Sequence, residues 1–266
     1  MKKNLLNLLK ILLGAYVIVC GILYFNQEKL IFHPEKLAAN YAFDFGGNLE
    51  ELNFKAADGK LLNGLLFKAE NSKGLIFYLH GNAGSLRTWG FVAETYTALN
   101  YDVFILDYRS FGKSEGDITS QAALFADNQM IYDEFKKQYD EKDIIILGYS
   151  IGTGLAAKLA SDNHPQQLIL QAPYYSLTNL MRQKFSFAPT FLLKYTFATN
   201  DYLGRCNMPI TIFHGTQDAV IPYESSVKLK AEFGAIQLIT LNGQGHGGIT
   251  DNAVHKNELR KMLVKE

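Results

Sequence analysis

Gly148-Tyr149-Ser150-Ile151-Gly152 constrains this chain more than any other stretch. Ile144 to Leu147, just before it, is a short β-branched run with apolar side chains on both faces, as a central parallel strand requires. After it, Leu155, Ala156, Leu159 and Ala160 recur at helical spacing. A serine therefore sits on a sharp strand-to-helix turn, with glycine two residues before and two after. A Cβ at position 148 or 152 would crowd the neighbouring strand and helix. Such a turn holds the serine in strained backbone geometry and exposes its hydroxyl above the sheet. The helix N-terminus beneath it favours negative charge. This is the G-x-S-x-G pattern of a nucleophile elbow in its strand–turn–helix context. The bland alternative is a glycine-rich turn carrying an incidental serine.

A serine nucleophile needs a base, a group that orients the base, and donors for the oxyanion. The spacing predicts a buried strand over Leu75 to Leu79, ending at His80-Gly81-Asn82-Ala83-Gly84-Ser85. Glycines at 81 and 84 let backbone N–H groups turn towards a substrate oxygen. A strand over Ile210 to Phe213 ends at His214-Gly215-Thr216-Gln217-Asp218. Asp218 thus falls at the strand end where α/β sheets bind ligands. The last strand, Gln237 to Leu241, leads into Gly243-Gln244-Gly245-His246-Gly247-Gly248, which sets His246 in a flexible loop. That loop also matches G-x-G-x-x-G. A dinucleotide site would need a further strand bearing an acidic residue about twenty positions on, and none follows.

His80 to Ser85, Asp107-Tyr108-Arg109-Ser110-Phe111-Gly112-Lys113-Ser114-Glu115-Gly116, the elbow, His214 to Asp218 and Gly245-His246 stand in the order of one known family. The chain resembles serine hydrolases of the α/β-hydrolase superfamily, and within it the membrane-anchored, serine aminopeptidase-like branch. The resemblance covers roughly residues 45 to 266. It implies an α/β-hydrolase fold: a mostly parallel eight-stranded sheet flanked by helices, with a short lid insertion and an N-terminal membrane-anchor helix. It implies a catalytic triad of Ser150, Asp218 and His246, whose order matches the family's. It places the oxyanion donors at the backbone N–H groups of Asn82 and Ile151. In this family Asp107 and Arg109 mainly shape their loop. The activity implied is hydrolysis of an ester, thioester or amide by an esterase, an acyl-thioesterase or a serine aminopeptidase-like peptidase. No metal or cofactor is required, and the serine argues against dehalogenase and epoxide-hydrolase chemistry, which use an aspartate at the elbow. A tethered binding or scaffold protein that keeps the fold without turnover would instead show a broken triad or oxyanion loop.

Other segments follow from pattern. Met1 to Phe25 begins with Lys2 and Lys3 and becomes an uninterrupted apolar run from Ile11. From Leu5 it is long enough to span a bilayer, and Lys10 can snorkel to the interface. Val17-Ile18-Val19 before Cys20 fits neither ordinary signal cleavage nor lipoprotein processing. The expected organisation is an anchor or signal anchor over 1–26, a collar over 27–47, and the hydrolase domain over 48–266 with a lid near 173–205. A cleaved signal and a buried helix remain the alternatives. The lysine distribution leans towards a cytoplasmic N-terminus and a domain on the non-cytoplasmic side. His33, next to a proline, reads as a surface residue. Asp58-Gly59 between apolar runs signals a hairpin, and helices are expected over Leu86–Leu99 and Ser120–Tyr139. The segment from Pro173 to Arg205 carries eight aromatic residues, which predicts an apolar lid that selects acyl chains, with Arg182, Lys184, Lys194 and Arg205 on its outer side.

Composition narrows the rest. At 266 residues the chain suits one α/β domain, and its formal net charge of zero offers no basic stripe for nucleic acid. The two cysteines and six histidines have no metal-type spacing. The expected partners are an acylated or small-molecule substrate with an apolar group, and the membrane.

Overall fold

The computed structural model describes residues 2–264. Met1, Lys265 and Glu266, the outermost positions of the expected anchor and domain, lie outside the described residues. The chain opens with α1 (Lys2–Phe25), an apolar helix with no buried residue, long and apolar enough to cross a membrane. That exposure removes the buried-helix alternative. Its 24 residues extend about 36 Å, against a hydrocarbon core of about 30 Å. A five-residue helix, α2 (Gln27–Ile31), and a two-residue strand, β1 (His33–Pro34), bring the chain onto the domain.

The domain is built from β2 (Asn48–Lys55), β3 (Leu61–Lys68), β4 (Leu75–Leu79), β5 (Ala83–Gly84), α3 (Leu86–Trp89), α4 (Ala93–Thr97), β6 (Asp102–Leu106), α5 (Gln121–Phe135), β7 (Ile144–Tyr149), α6 (Gly152–Asp162) and β8 (Gln167–Gln171). Then come α7 (Leu177–Lys184), α8 (Thr199–Leu203), β9 (Ile210–Gly215), α9 (Glu224–Glu232), β10 (Gln237–Leu241) and α10 (Ala253–Leu263). Eight strands form one sheet in the order β10-β9-β8-β7-β4-β6-β3-β2. β3 pairs antiparallel with both β2 and β6, and the other neighbours are parallel. So the expected hairpin forms, but only β3 runs against the rest. β4, β6 and β7 are buried along their whole length, which explains their continuous apolar sequence. The helix expected over Leu86–Leu99 is broken at Gly90, where Phe45 of the collar packs so closely that an added Cβ would stand 2.3 Å from its ring.

Arg109 bridges Asp127 and Asp58 at 2.6 Å each, and Asp107 is fully buried, accepting from the Leu86 N–H at 3.0 Å. Both shape the loop after β6. The collar pairs with the loop after β4: β1 runs parallel to β5, with His33 opposite Ala83 and Pro34 opposite Gly84. The His33 ring is exposed.

On the far face, His255 of α10 is fully buried. Its Nε2 lies 2.8 Å from Gln171 Nε2, which can only donate, so the imidazole accepts and is neutral. Burial, and then the Lys256 charge, push the group down to about 4. The unfolded chain takes up this proton near pH 6.5. Between those pH values the unfolded state binds more protons, so native stability falls as the pH falls. The loss expected from His255 is about 3 kcal/mol between pH 6.5 and 4. Guanidinium midpoints in a non-ionic detergent should show this slope in the wild type and lose it in His255→Gln. Parallel profiles would reject it.

Candidate active site

β4 and β7 are neighbours at the centre of the sheet, with Leu79 opposite Gly148. From β4 the sheet continues to β6 on one side and to β7 on the other. The C-terminal ends there flank the crevice in which open α/β sheets bind ligands. β7 ends in the elbow and β4 in the His80–Ser85 loop, so the two motifs meet because their strands do.

Ser150 has φ +52°, a left-handed backbone that is strained for a residue with a Cβ. A Cβ at Gly148 would lie 2.6 Å from the Gly152 carbonyl oxygen, and one at Gly152 would lie 2.1 Å from that of Leu79. Both glycines are therefore steric requirements of the turn. Ser150 N–H donates to the Gln171 carbonyl at 2.9 Å, tying the turn to β8.

The structure brings Ser150, Asp218 and His246 together. His246 Nε2 lies 2.9 Å from Ser150 Oγ, and His246 Nδ1 lies 2.7 Å from Asp218 Oδ2. A carboxylate can only accept, so Nδ1 carries a proton and Nε2 of the neutral ring faces the hydroxyl. Asp218 Oδ1 accepts from the N–H groups of Val220 and Ile221, both at 2.8 Å. Burial alone would raise this carboxyl. Hydrogen bonds from His214 and His246, with the Ile221 N–H, overcome burial and hold it well below the usual carboxylate range.

The sequence reading did not assign His214 to the site. It is fully buried, four residues before Asp218, with Nε2 3.2 Å from Asp218 Oδ2 and 3.0 Å from the Ile221 carbonyl. Two acceptors facing Nε2 make it a donor, so Asp218 Oδ2 is held by two imidazoles. The signal was present in the four-residue spacing at a strand end. Tyr149 was also missed. Its hydroxyl donates to the His246 carbonyl, and burial, then the Asp218 charge, push the phenol up to about 12. It pins the glycine-flanked loop by its backbone.

Asn82 and Ile151 both border the cavity above Ser150. Neither backbone N–H donates to a protein acceptor among the described residues. The Asn82 side chain instead donates to the Ile31 carbonyl at 3.0 Å, and its carbonyl accepts from His33 N–H at 2.7 Å. The collar thus holds the loop from outside.

The cavity over Ser150 measures about 320 Å³. Its walls are mainly aliphatic, including Leu177, Leu180, Met181, Leu192 and Leu193. This corrects the expectation of an aromatic lining. Of the eight aromatics in the segment, only Tyr174 and Phe185 reach the cavity. Tyr195, Phe197 and Tyr202 are buried and pack into the main core, while Phe187 and Phe191 are exposed. Lys194 is also turned inward, 3.3 Å from Glu28 and over the Tyr24 ring. Arg182 and Arg205 are exposed as expected, whereas Lys184, expected on the outer side, is exposed yet borders the cavity, the only charged residue among the described residues to do so.

A model described as "Serine aminopeptidase, S33" matches residues 70–199, and one described as "TAP-like protein" matches residues 195–265. The chain is 29% identical over 223 residues to the uncharacterized protein YfhR of Escherichia coli O157:H7, covering 80% of this chain and 74% of that protein. It is 29% identical over 185 residues to the lysophosphatidylserine lipase ABHD12 of Danio rerio, covering 60% of this chain and 47% of the lipase, so it spans about half of that relative. Among solved structures, the esterase Pf2001 of Pyrococcus furiosus matches with a TM-score of 0.68 at 19% identity, over 88% of this chain and 95% of the esterase. That likeness concerns the fold. Taken with the sheet order and the elbow, these matches give the chain the α/β-hydrolase fold and a sequence similar to that of the serine aminopeptidase S33 family.

Proposed function

We propose that the chain is a serine hydrolase that forms an acyl-enzyme on Ser150 and prefers single acyl chains over charged groups. The observation that carries this reading is the unbroken relay Asp218–His246–Ser150 beneath an aliphatic cavity. His246 Nε2 accepts the Ser150 proton as Oγ attacks the substrate carbonyl. Asp218 orients the imidazole and stabilises its charged form. The N–H groups of Asn82 and Ile151 receive the oxyanion, the largest single contribution to rate in such sites. His246 returns the proton to the leaving group, and water repeats the attack on the ester.

The cavity supports an acyl substrate over a peptide. An aminopeptidase has to bind an α-ammonium group, and the described residues lining this cavity include no carboxylate, while Lys184 would repel it. The same lysine suits an anionic head group, in keeping with the name of the Danio rerio relative. We read α1 as a retained anchor with its lysine-bearing N-terminus cytoplasmic and the hydrolase on the other side.

The test is a p-nitrophenyl ester series from acetate to decanoate, assayed below micelle-forming concentrations. Each buried methylene contributes up to about 0.8 kcal/mol, so four give a preference of about a hundredfold or more in kcat/KM. A flat profile, or one falling from acetate onward, would reject the acyl pocket.

A further inference from the structure

Part of the cavity wall lies outside the hydrolase sheet. Leu23 of α1 and Gln27, Leu30 and Ile31 of α2 face the insertion across the space above Ser150. Gln27 fixes this arrangement. It is buried, its Nε2 donates to the Leu192 carbonyl at 2.7 Å, and its Oε1 accepts from the Lys194 N–H at 2.9 Å. A primary amide can serve a backbone donor and a backbone acceptor together without charge. Glu28 adds bonds from Lys194 at 3.3 Å and Tyr195 at 3.0 Å. The foot of the apolar helix and the insertion are therefore clamped together over the nucleophile.

A second contact lies further along the helix. The Tyr16 hydroxyl donates to the Phe187 carbonyl at 3.0 Å. Tyr16 precedes Phe25 by about two and a half turns, which is about 14 Å along the axis and roughly half the thickness of a hydrocarbon core. At this level Phe187 is 55% exposed, and Phe191, four residues on, is 83% exposed, beside a helix whose own apolar side chains are bare. Large apolar side chains grouped this way mark a surface that meets an apolar phase. If α1 spans a bilayer, the insertion that runs along it enters the same leaflet.

We propose, resting on the hydrolase reading above, that the Phe187–Phe191 loop dips into the leaflet beside α1. A single-chain acyl ester then passes sideways from that leaflet into the cavity, along Leu23 and Leu30. The membrane helix is thus one wall of the acyl site as well as a tether, and the substrate class is an amphiphile already dissolved in lipid.

The experiment uses the full chain in phosphatidylcholine vesicles with two substrates: p-nitrophenyl acetate supplied in water and a fluorogenic palmitoyl ester premixed into the bilayer. In the double variant Phe187→Asp, Phe191→Asp, palmitoyl ester turnover is expected to fall tenfold or more. Acetate turnover should stay within twofold, and fluorophosphonate labelling of Ser150 should be unchanged. Equal behaviour of the two substrates, whether both unaffected or both reduced, overturns the lateral route. A wild-type protein that neither labels nor turns over acetate removes the hydrolase reading and this proposal with it. A fluorophore at Phe191→Cys, with Cys20 and Cys206 replaced by alanine, should be quenched by nitroxides on shallow acyl carbons and shielded from aqueous iodide. Iodide quenching equal to that of the free dye overturns immersion of the loop.

Discussion

Ser150→Ala is expected to abolish labelling by a fluorophosphonate and to lower kcat on any turned-over ester by about three to six orders of magnitude. The size follows from the site. The hydroxyl is the atom aimed at His246 Nε2. Alanine also keeps a Cβ at φ +52°, so the backbone strain is the same in both proteins and the fold should be untouched. Intact labelling of the variant, at unchanged thermal midpoint, would remove Ser150 from the mechanism. The residual rate has its own meaning. The N–H groups of Asn82 and Ile151 and the aliphatic cavity remain, and binding with oxyanion stabilisation alone still accelerates such reactions over water.

Asp218→Asn is expected to lower kcat by about four orders of magnitude, and adding His246→Ala to it should cost little more. Asparagine can keep the two backbone bonds from Val220 and Ile221 through its amide oxygen. Its amide N–H groups then face the ring nitrogens of both His214 and His246, which already donate there. His246 is left in the wrong tautomer for taking a proton from Ser150. In the proposed mechanism the three groups share one proton transfer, so their losses cannot add. Losses that multiply in the double variant, measured as kcat on the best ester of the series, would mean that Asp218 and His246 serve different steps.

The strands and the elbow were legible because their constraints are local. Ile144 to Leu147 has to be buried on both faces, and Gly148 and Gly152 have no space for a Cβ, which is a property of a few consecutive residues. Asp218 and His246 could be read from strand ends and chain order. The cavity could not. Counting aromatics between Pro173 and Arg205 predicted its lining, yet Tyr195 and Phe197 turn into the main core, and aliphatic side chains from α7 and the 192–193 turn took the wall. Which way a side chain in an irregular segment points depends on what packs beneath it, and no periodicity encodes that. The second imidazole on Asp218 was hidden for a related reason: His214 looked like part of a turn motif, while its partner was fixed only by the fold of the loop after β9. The collar itself was expected from the family resemblance, but its pairing with the loop after β4 left no trace, since a two-residue strand has no period.

That two-residue pairing of His33 and Pro34 with Ala83 and Gly84 bears on how the protein can vary over evolutionary time. Exposed linkers ordinarily tolerate insertion and deletion. Here one added or lost residue between Ile31 and Glu35 would slide His33 off the Asn82 carbonyl and turn the neighbouring side chains to the opposite side. Length in this stretch is therefore held by the chemistry some fifty residues later in the chain, and a foreign membrane segment could be grafted on only by keeping the register that begins at Gln27. The apolar helix and the sheet domain thus vary as one unit, and the seam between them lies upstream of the collar.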